Sequence, residues 1–431
     1  MRHAGSILFV LLLLLTIAST STAQQGFTWR MQDRFGPRTK EGLIDYRWDR
    51  VHNVYDRDYV NPTSWNVDFD GCSSSTIAGA RFVWEIDGQT MAESQCRFAH
   101  AFATQGAHAI RLTIVTPANE STSFPATIIT VKDLLIVSIG DSYASGEGNP
   151  DKPRKFLKAG WIDSRCHRSA TAGPALAALT IEQDDPHTSV TFISFACSGA
   201  GLKEGLTGEF KKGSVHLRPQ LDQVVDAVNG RPIDALLISS GGNDLGFADL
   251  VLRAIRLRHA ETDRATANIV TRGLAGLAQR YADVAHRLST LNIAKVFITE
   301  YPFIVRSENK KPCDHSPKFP DLLNGISKAE AEWAEHDVIK PLNDQVKAAA
   351  LLFGWVYVSS IASKFSGEDP ELFAHGYCAN GERWVNTFTD SWHIQGNQFG
   401  TAHPNSLGHA WYAKQLVLAL RQNGIVPIAA P

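Results

Sequence analysis

The run Leu134 to Ile139 (LLIVSI), closed by Gly140 and followed at once by Asp141 and Ser142, constrains this chain more than any other stretch. It is long enough for a parallel strand buried on both faces and short for a helix, and Gly140 allows the sharp turn that must follow. Strand-like runs recur at 188–196 (TSVTFISFA), 233–240 (IDALLISS), 293–300 (IAKVFITE) and 354–360 (GWVYVSS). Between them lie segments of helical character, among them ANIVTRGLAGLAQRYADVAHRLSTL, and NSLGHAWYAKQLVLALRQN closes the chain. Strands alternating with helices predict an α/β sandwich on a five-stranded parallel sheet. Ligands of such sheets bind beyond the carboxyl ends of the strands, which puts Ser142 where a substrate would meet the protein.

The chain before Lys132 reads differently. WNVDFDG, ARFVWEIDG, CRFAHAF, HAIRLTIV and TIITVKD alternate apolar and polar residues between turn-forming clusters, the pattern of a small β-sandwich over 65–132. Residues 24–64 are rich in Arg, Asp, Tyr and Trp without a steady period and suit an extended arm packed on a neighbouring domain. Arg2, His3, the apolar run Ile7 to Ile17 and Ser21-Thr22-Ala23 read as an export signal over 1–23 cleaved after Ala23. The run is short for a membrane span and no second stretch approaches it, so a secreted or periplasmic protein without an integral span is expected. A net charge of −2 over 431 residues gives no electrostatic reason to expect nucleic acid as partner. Six cysteines in an exported chain read as disulfides, and pairing sequence neighbours gives three bridges. With no CxxC or paired-His spacing, neither a metal nor a cofactor is expected.

Three loops fall at the carboxyl ends of successive strands: Gly140-Asp141-Ser142, Ala196-Cys197-Ser198-Gly199-Ala200-Gly201 and Ser240-Gly241-Gly242-Asn243-Asp244. A nucleophilic serine needs donors aimed at the oxyanion formed on attack; a backbone N–H at Gly199 and the Asn243 amide would supply them. Singly, these are ordinary turn or cap residues, and it is their recurrence after consecutive strands that points to a site. Serine also needs a base, and His403, just before Pro404 and the last helix, is the candidate.

The blocks GDSYASGEG, ACSGAG, GGNDLGF and HPNSLGH, in that order over about 133–425, resemble the SGNH (GDSL) hydrolases, and CHRS at 166–169 resembles their secreted, disulfide-bonded bacterial esterase and lipase branch. The resemblance implies a three-layer, flavodoxin-like α/β/α domain over 133–431 and metal-independent ester hydrolysis by a monomer. Ser142 would be the nucleophile, Gly199 and Asn243 the oxyanion donors beside the Ser142 N–H, and His403 the base. It also implies bridges Cys166–Cys197 and Cys313–Cys378, leaving Cys72–Cys96 for the β module. FDGCSS, FVWEIDG and FAHAFATQGAHAIRLTIV resemble a PKD-like domain, which implies glycan or protein contact rather than chemistry. The family's usual Asp three residues before the base is Gly400 here. A main-chain carbonyl near Gly400 could orient the imidazole, or Asp390 could reach it. Asp390-Ser391-Trp392-His393 has Asp-x-x-His spacing, which makes His393 a rival base, but Pro404 and the following helix favour His403. The expected substrate is a lipid, small acyl or acylated-carbohydrate ester. The alternatives are a polysaccharide O-deacetylase and an inactive glycan-binding protein.

Overall fold

The computed structural model describes residues 26–36, 44, 47–93, 95–156, 158–247, 250, 260–314, 325–368 and 372–426. The export signal expected over 1–23 lies outside them. Strands β1 (Asp133–Gly140), β2 (Ser189–Ser194), β3 (Ile233–Ser239), β4 (Ile293–Thr299) and β5 (Val356–Val358) form one parallel sheet in the order β2-β1-β3-β4-β5. The five-stranded α/β fold is therefore the one the alternating runs predict. Every residue of β1 is buried, as a strand covered on both faces must be, and this is why its sequence runs apolar without alternating.

The principal helices of this unit are α1 (Ser142–Ser145), α2 (Gly173–Asp184), α3 (Gln220–Val228), α4 (Arg264–Leu288), α5 (Lys340–Phe353), α6 (Phe388–Gln395) and α7 (Ser406–Gln422). Asp263 starts α4 by accepting from the Thr266 N–H at 2.9 Å. Val270, Gly273, Leu277, Tyr281, Val284 and Leu288 then recur at three- and four-residue steps to make its buried stripe. Helix α4 packs on α5, and α2 on α7. Asn405 caps α7 by accepting from the Leu407 and Gly408 N–H groups, which fixes the chain immediately after His403.

Strand β2 is an edge, and an edge exposes unpaired backbone groups. Residues of Trp29–Asp68, most of the arm expected from the sequence, cover it as part of the same compact unit. The Tyr59 hydroxyl accepts from Phe192 N at 2.8 Å and donates to Phe192 O at 3.1 Å; that of Tyr55 does the same at Ser194, at 2.7 and 3.0 Å. Asp133, buried at the start of β1, accepts from Ser189, Thr191, Arg34 and Arg231. A second unit gathers Phe69–Ala99 and Ala107–Ile129. In it Arg81–Ile86 pairs antiparallel with both Gln89–Glu93 and Gly106–Val115, and Asp87-Gly88 makes the tight hairpin turn. Trp84, fully buried, packs against Phe27, Phe69 and Phe98, so the small β-sheet module foreseen at the N-terminal side is present.

The disulfides join Cys72 to Cys96, Cys166 to Cys197 and Cys313 to Cys378, the pairing the resemblance implies. Tyr59→Phe strips both Phe192 backbone groups of their hydroxyl partner. It should lower unfolding free energy by about 1–3 kcal/mol in urea titration with an unchanged slope. A change below about 0.5 kcal/mol would mean that the arm does not protect this edge.

Candidate active site

At the end of β1 the backbone reverses at Gly140, whose φ of 137° suits glycine and where a Cβ would stand 2.1 Å from the Ser239 carbonyl oxygen. Asp141 follows as N-cap of the one-turn helix α1, accepting from the Tyr143 N–H at 3.0 Å, and Ser142 is the first residue of that helix. Burial pushes the Asp141 carboxyl up to about 7 against the opposing hydrogen bonds from Tyr301 and the Tyr143 N–H. The Tyr301 hydroxyl donates to Asp141 and accepts from Gly242 N at 3.0 Å, tying the nucleophile turn to the loop that carries Asn243.

His403 meets Ser142 from the far end of the sequence. Its Nε2 lies 2.7 Å from Ser142 Oγ, and its Nδ1 lies 2.9 Å from the Thr401 carbonyl oxygen. A carbonyl can only accept, so Nδ1 carries the proton and Nε2 is left to accept from the serine. The 400–403 loop is pinned on several sides. Tyr143 Oη donates to Ala402 O, Ala402 N donates to Asn386 O, and Asn386 N donates to His403 O, all within 3.0 Å. Ala402 sits at φ 63°, a region that non-glycine residues enter at a cost, and the clamp holds it there. Burial pushes the His403 imidazole below its ordinary value; the field of Glu147 and the Thr401 carbonyl oppose that, and Lys212 and His167 add to it.

Asn243 opens a short 3₁₀ turn after β3, and its amide donates to Ala200 O at 3.0 Å, leaving a second N–H. Gly199 and Asn243 line one polar cavity of about 360 Å³ with Lys203, Lys212 and Arg280. On another side, Phe247, Ile304, Val305, Trp333, Val338 and Tyr377 line an apolar cavity of about 100 Å³ that reaches Thr401 and Ala402.

Asp390 is placed elsewhere. Its Oδ2 accepts from Thr387 N and Oγ1 and pairs with Arg383 at 2.8 Å, closing a capping box on α6, while His403 Nδ1 turns to Thr401. Burial would push the Asp390 carboxyl up, but the Thr387 and Arg383 contacts outweigh it and hold the carboxyl below its ordinary value. His393 is exposed on α6, and the imidazole bonded to Ser142 is that of His403.

Sequence reasoning passed over Tyr143, Asn386 and Glu147. Tyr143 and Glu147 stand inside the first quoted block, and Asn386 had no signal. Glu147 is fully buried: burial pushes its carboxyl up, but His167, His403 and Ser198 outweigh this and bring it down to about 2.

The profile of the GDSL-like Lipase/Acylhydrolase family matches residues 138–411. No curated protein matches the chain. Among solved structures, an extracellular lipase from Streptomyces rimosus is 21% identical over 67% of this chain and 99% of its own, with a TM-score of 0.46. Phospholipase A1 from Streptomyces albidoflavus NA297 has the same identity and coverage with a TM-score of 0.44. A carbohydrate acetylesterase from Sinorhizobium meliloti is 14% identical over 67% of this chain and 99% of its own, with a TM-score of 0.32. Because the matched span runs from within β1, where the nucleophile turn begins, into α7 beyond His403, the chain belongs to the GDSL-like lipase/acylhydrolase family.

Proposed function

We propose that this chain is an exported serine ester hydrolase that works through an acyl-enzyme with a Ser142–His403 dyad. The observation that carries the reading is the 2.7 Å contact between Ser142 Oγ and an imidazole whose other nitrogen is held by a carbonyl. His403 Nε2 takes the hydroxyl proton as Oγ attacks the ester carbonyl. The oxyanion is held by the second Asn243 N–H and by the backbone N–H groups of Gly199 and Ser142. His403 then protonates the departing alkoxide, and water attacks the acyl-enzyme with the same base. Each oxyanion donor is worth about 3–4 kcal/mol in the transition state.

The apolar cavity beside Thr401 and Ala402 supports an acyl chain as its occupant and favours lipid or acyl esters. A polysaccharide O-deacetylase is the second reading, supported by the polar cavity at Gly199 and Asn243, which suits a hydroxylated alcohol. Three disulfides support the exported location. Among the described residues no helix is long and apolar enough to cross a membrane. We also assign 65–132 as a PKD-like module that contacts glycan or protein, with 133–431 as the hydrolase domain.

Ser142→Ala should lower turnover of p-nitrophenyl esters by roughly four orders of magnitude with the fold intact, and Asn243→Ala by roughly a hundredfold or more. Activity of Ser142→Ala within tenfold of wild type would remove the nucleophile assignment. A panel running from acetate to long acyl chains, beside an acetylated polysaccharide, separates the two substrate readings, and preference for the polysaccharide would select the second.

The pH profile follows from the burial of His403. Only neutral imidazole accepts the serine proton, so kcat/KM should rise with pH through a midpoint below about 6.5, the ordinary histidine value. A midpoint above 7 would contradict the burial argument. Asp390→Asn should cost about 1 kcal/mol through the weakened α6 cap and leave turnover within a few-fold. A loss approaching ten-thousandfold would instead mark Asp390 as the third catalytic member.

A further inference from the structure

When Nε2 of His403 takes the serine proton, a positive charge forms inside a buried site. The Thr401 carbonyl that orients the ring carries only a partial charge, whereas the carboxylate of a full triad would balance the imidazolium. Besides Asp141, Glu147 is a buried carboxylate of this region that is spent on no Arg or Lys among the described residues. Glu147, fully enclosed, accepts from His167 Nδ1 with both oxygens, at 2.8 and 2.9 Å, and from Gln395 Nε2 at 2.6 Å. A buried carboxylate needs positive charge around it, and Glu147 has the His167 imidazole in contact and the field of His403 besides.

The surrounding geometry packs its segment of chain against His403. Glu147 follows α1, and its N–H donates to the Ser142 carbonyl at 3.1 Å, so the carboxylate rides on the turn that carries the nucleophile. Gly148 is packed so tightly on the base that a Cβ there would stand 3.2 Å from His403 Cβ and 3.0 Å from the Pro404 carbonyl oxygen. Gln395 binds both neighbours, accepting from Gly148 N at 3.1 Å while it donates to Glu147, and its own side chain is buried. His167 is held for its role: its ring stacks on Trp161 at 4.6 Å and 5°, and its backbone sits at φ 45°, a region costly for a residue with a side chain.

We propose that Glu147 is a positioning residue for His403, the buried carboxylate that compensates the imidazolium through space while His167 and Gln395 hold it in place. Among the charged groups that act on His403, Glu147 favours the protonated ring, whereas Lys212 and His167 oppose it. The proposal rests on the Ser142–His403 reading and adds to it. The negative charge missing from the hydrogen-bonded pair is supplied from the nucleophile's own turn.

The test is the pH dependence of p-nitrophenyl acetate hydrolysis by Glu147→Gln, which keeps the side-chain shape and removes the charge. The midpoint of the acid limb of kcat/KM should fall by about half a pH unit or more. kcat should fall roughly tenfold with KM within about twofold, because the charge acts only once the imidazolium forms. An acid limb that stays in place overturns the proposal, whatever happens to the rate, since a packing defect lowers activity without moving that midpoint. If Glu147→Gln does not fold, Glu147→Ala serves instead. It also removes the charge, so the midpoint should fall, and an unchanged or raised midpoint overturns the proposal. Failure of the dyad reading looks different, as undiminished hydrolysis by Ser142→Ala.

Discussion

The hydrogen bond from His403 Nδ1 to the Thr401 carbonyl is the contact on which the rest of the site depends, because it decides which imidazole nitrogen faces Ser142. A carbonyl two residues upstream can reach the ring only if the backbone between them is bent, and Ala402 is held in a left-handed conformation to make that bend. Tyr143 and Asn386 secure it from the nucleophile helix and the preceding loop. The strain and the clamp form one device. Without the clamp the loop would relax and the ring would lose its tautomer.

The same economy joins the three loops at the ends of β1, β3 and the chain segment after β2. Tyr301 links Asp141 to Gly242, and Asn243 reaches the Ala200 carbonyl, so backbone and amide groups are fixed before any substrate arrives. Preorganised donors are effective because they need no reorganisation as charge develops. Burial raises the Asp141 carboxyl and lowers the His403 imidazole, in both cases against the charged form.

The sheet was legible because parallel strands buried on both faces must be apolar throughout, and LLIVSI, TFIS and ALLIS are such runs. Ser142 and His403 were legible because each stands at a punctuated boundary, one after Gly140 and the other before Pro404 and the Asn405 cap. The orienting group was not, because a backbone carbonyl leaves no mark on the residue type that carries it. Asp390 shows the opposite case. Its Asp-x-x-His spacing is genuine, but an aspartate three residues after Thr387 also completes a capping box, and spacing alone does not separate the two uses. The place where the arm docks was unreadable for a related reason. Its grip on β2 includes two tyrosine hydroxyls whose partners lie more than a hundred residues away, and no local period encodes such a contact.

The central claim is that Ser142 becomes nucleophilic through His403. Treating the folded protein with a fluorophosphonate ester and locating the adduct by peptide mass spectrometry tests this most directly, because the reagent labels a serine only where a base activates it. The account predicts one adduct, on Ser142, with labelling lost in His403→Ala and retained in Asp390→Asn. An adduct on another residue, or undiminished labelling of His403→Ala, would contradict it.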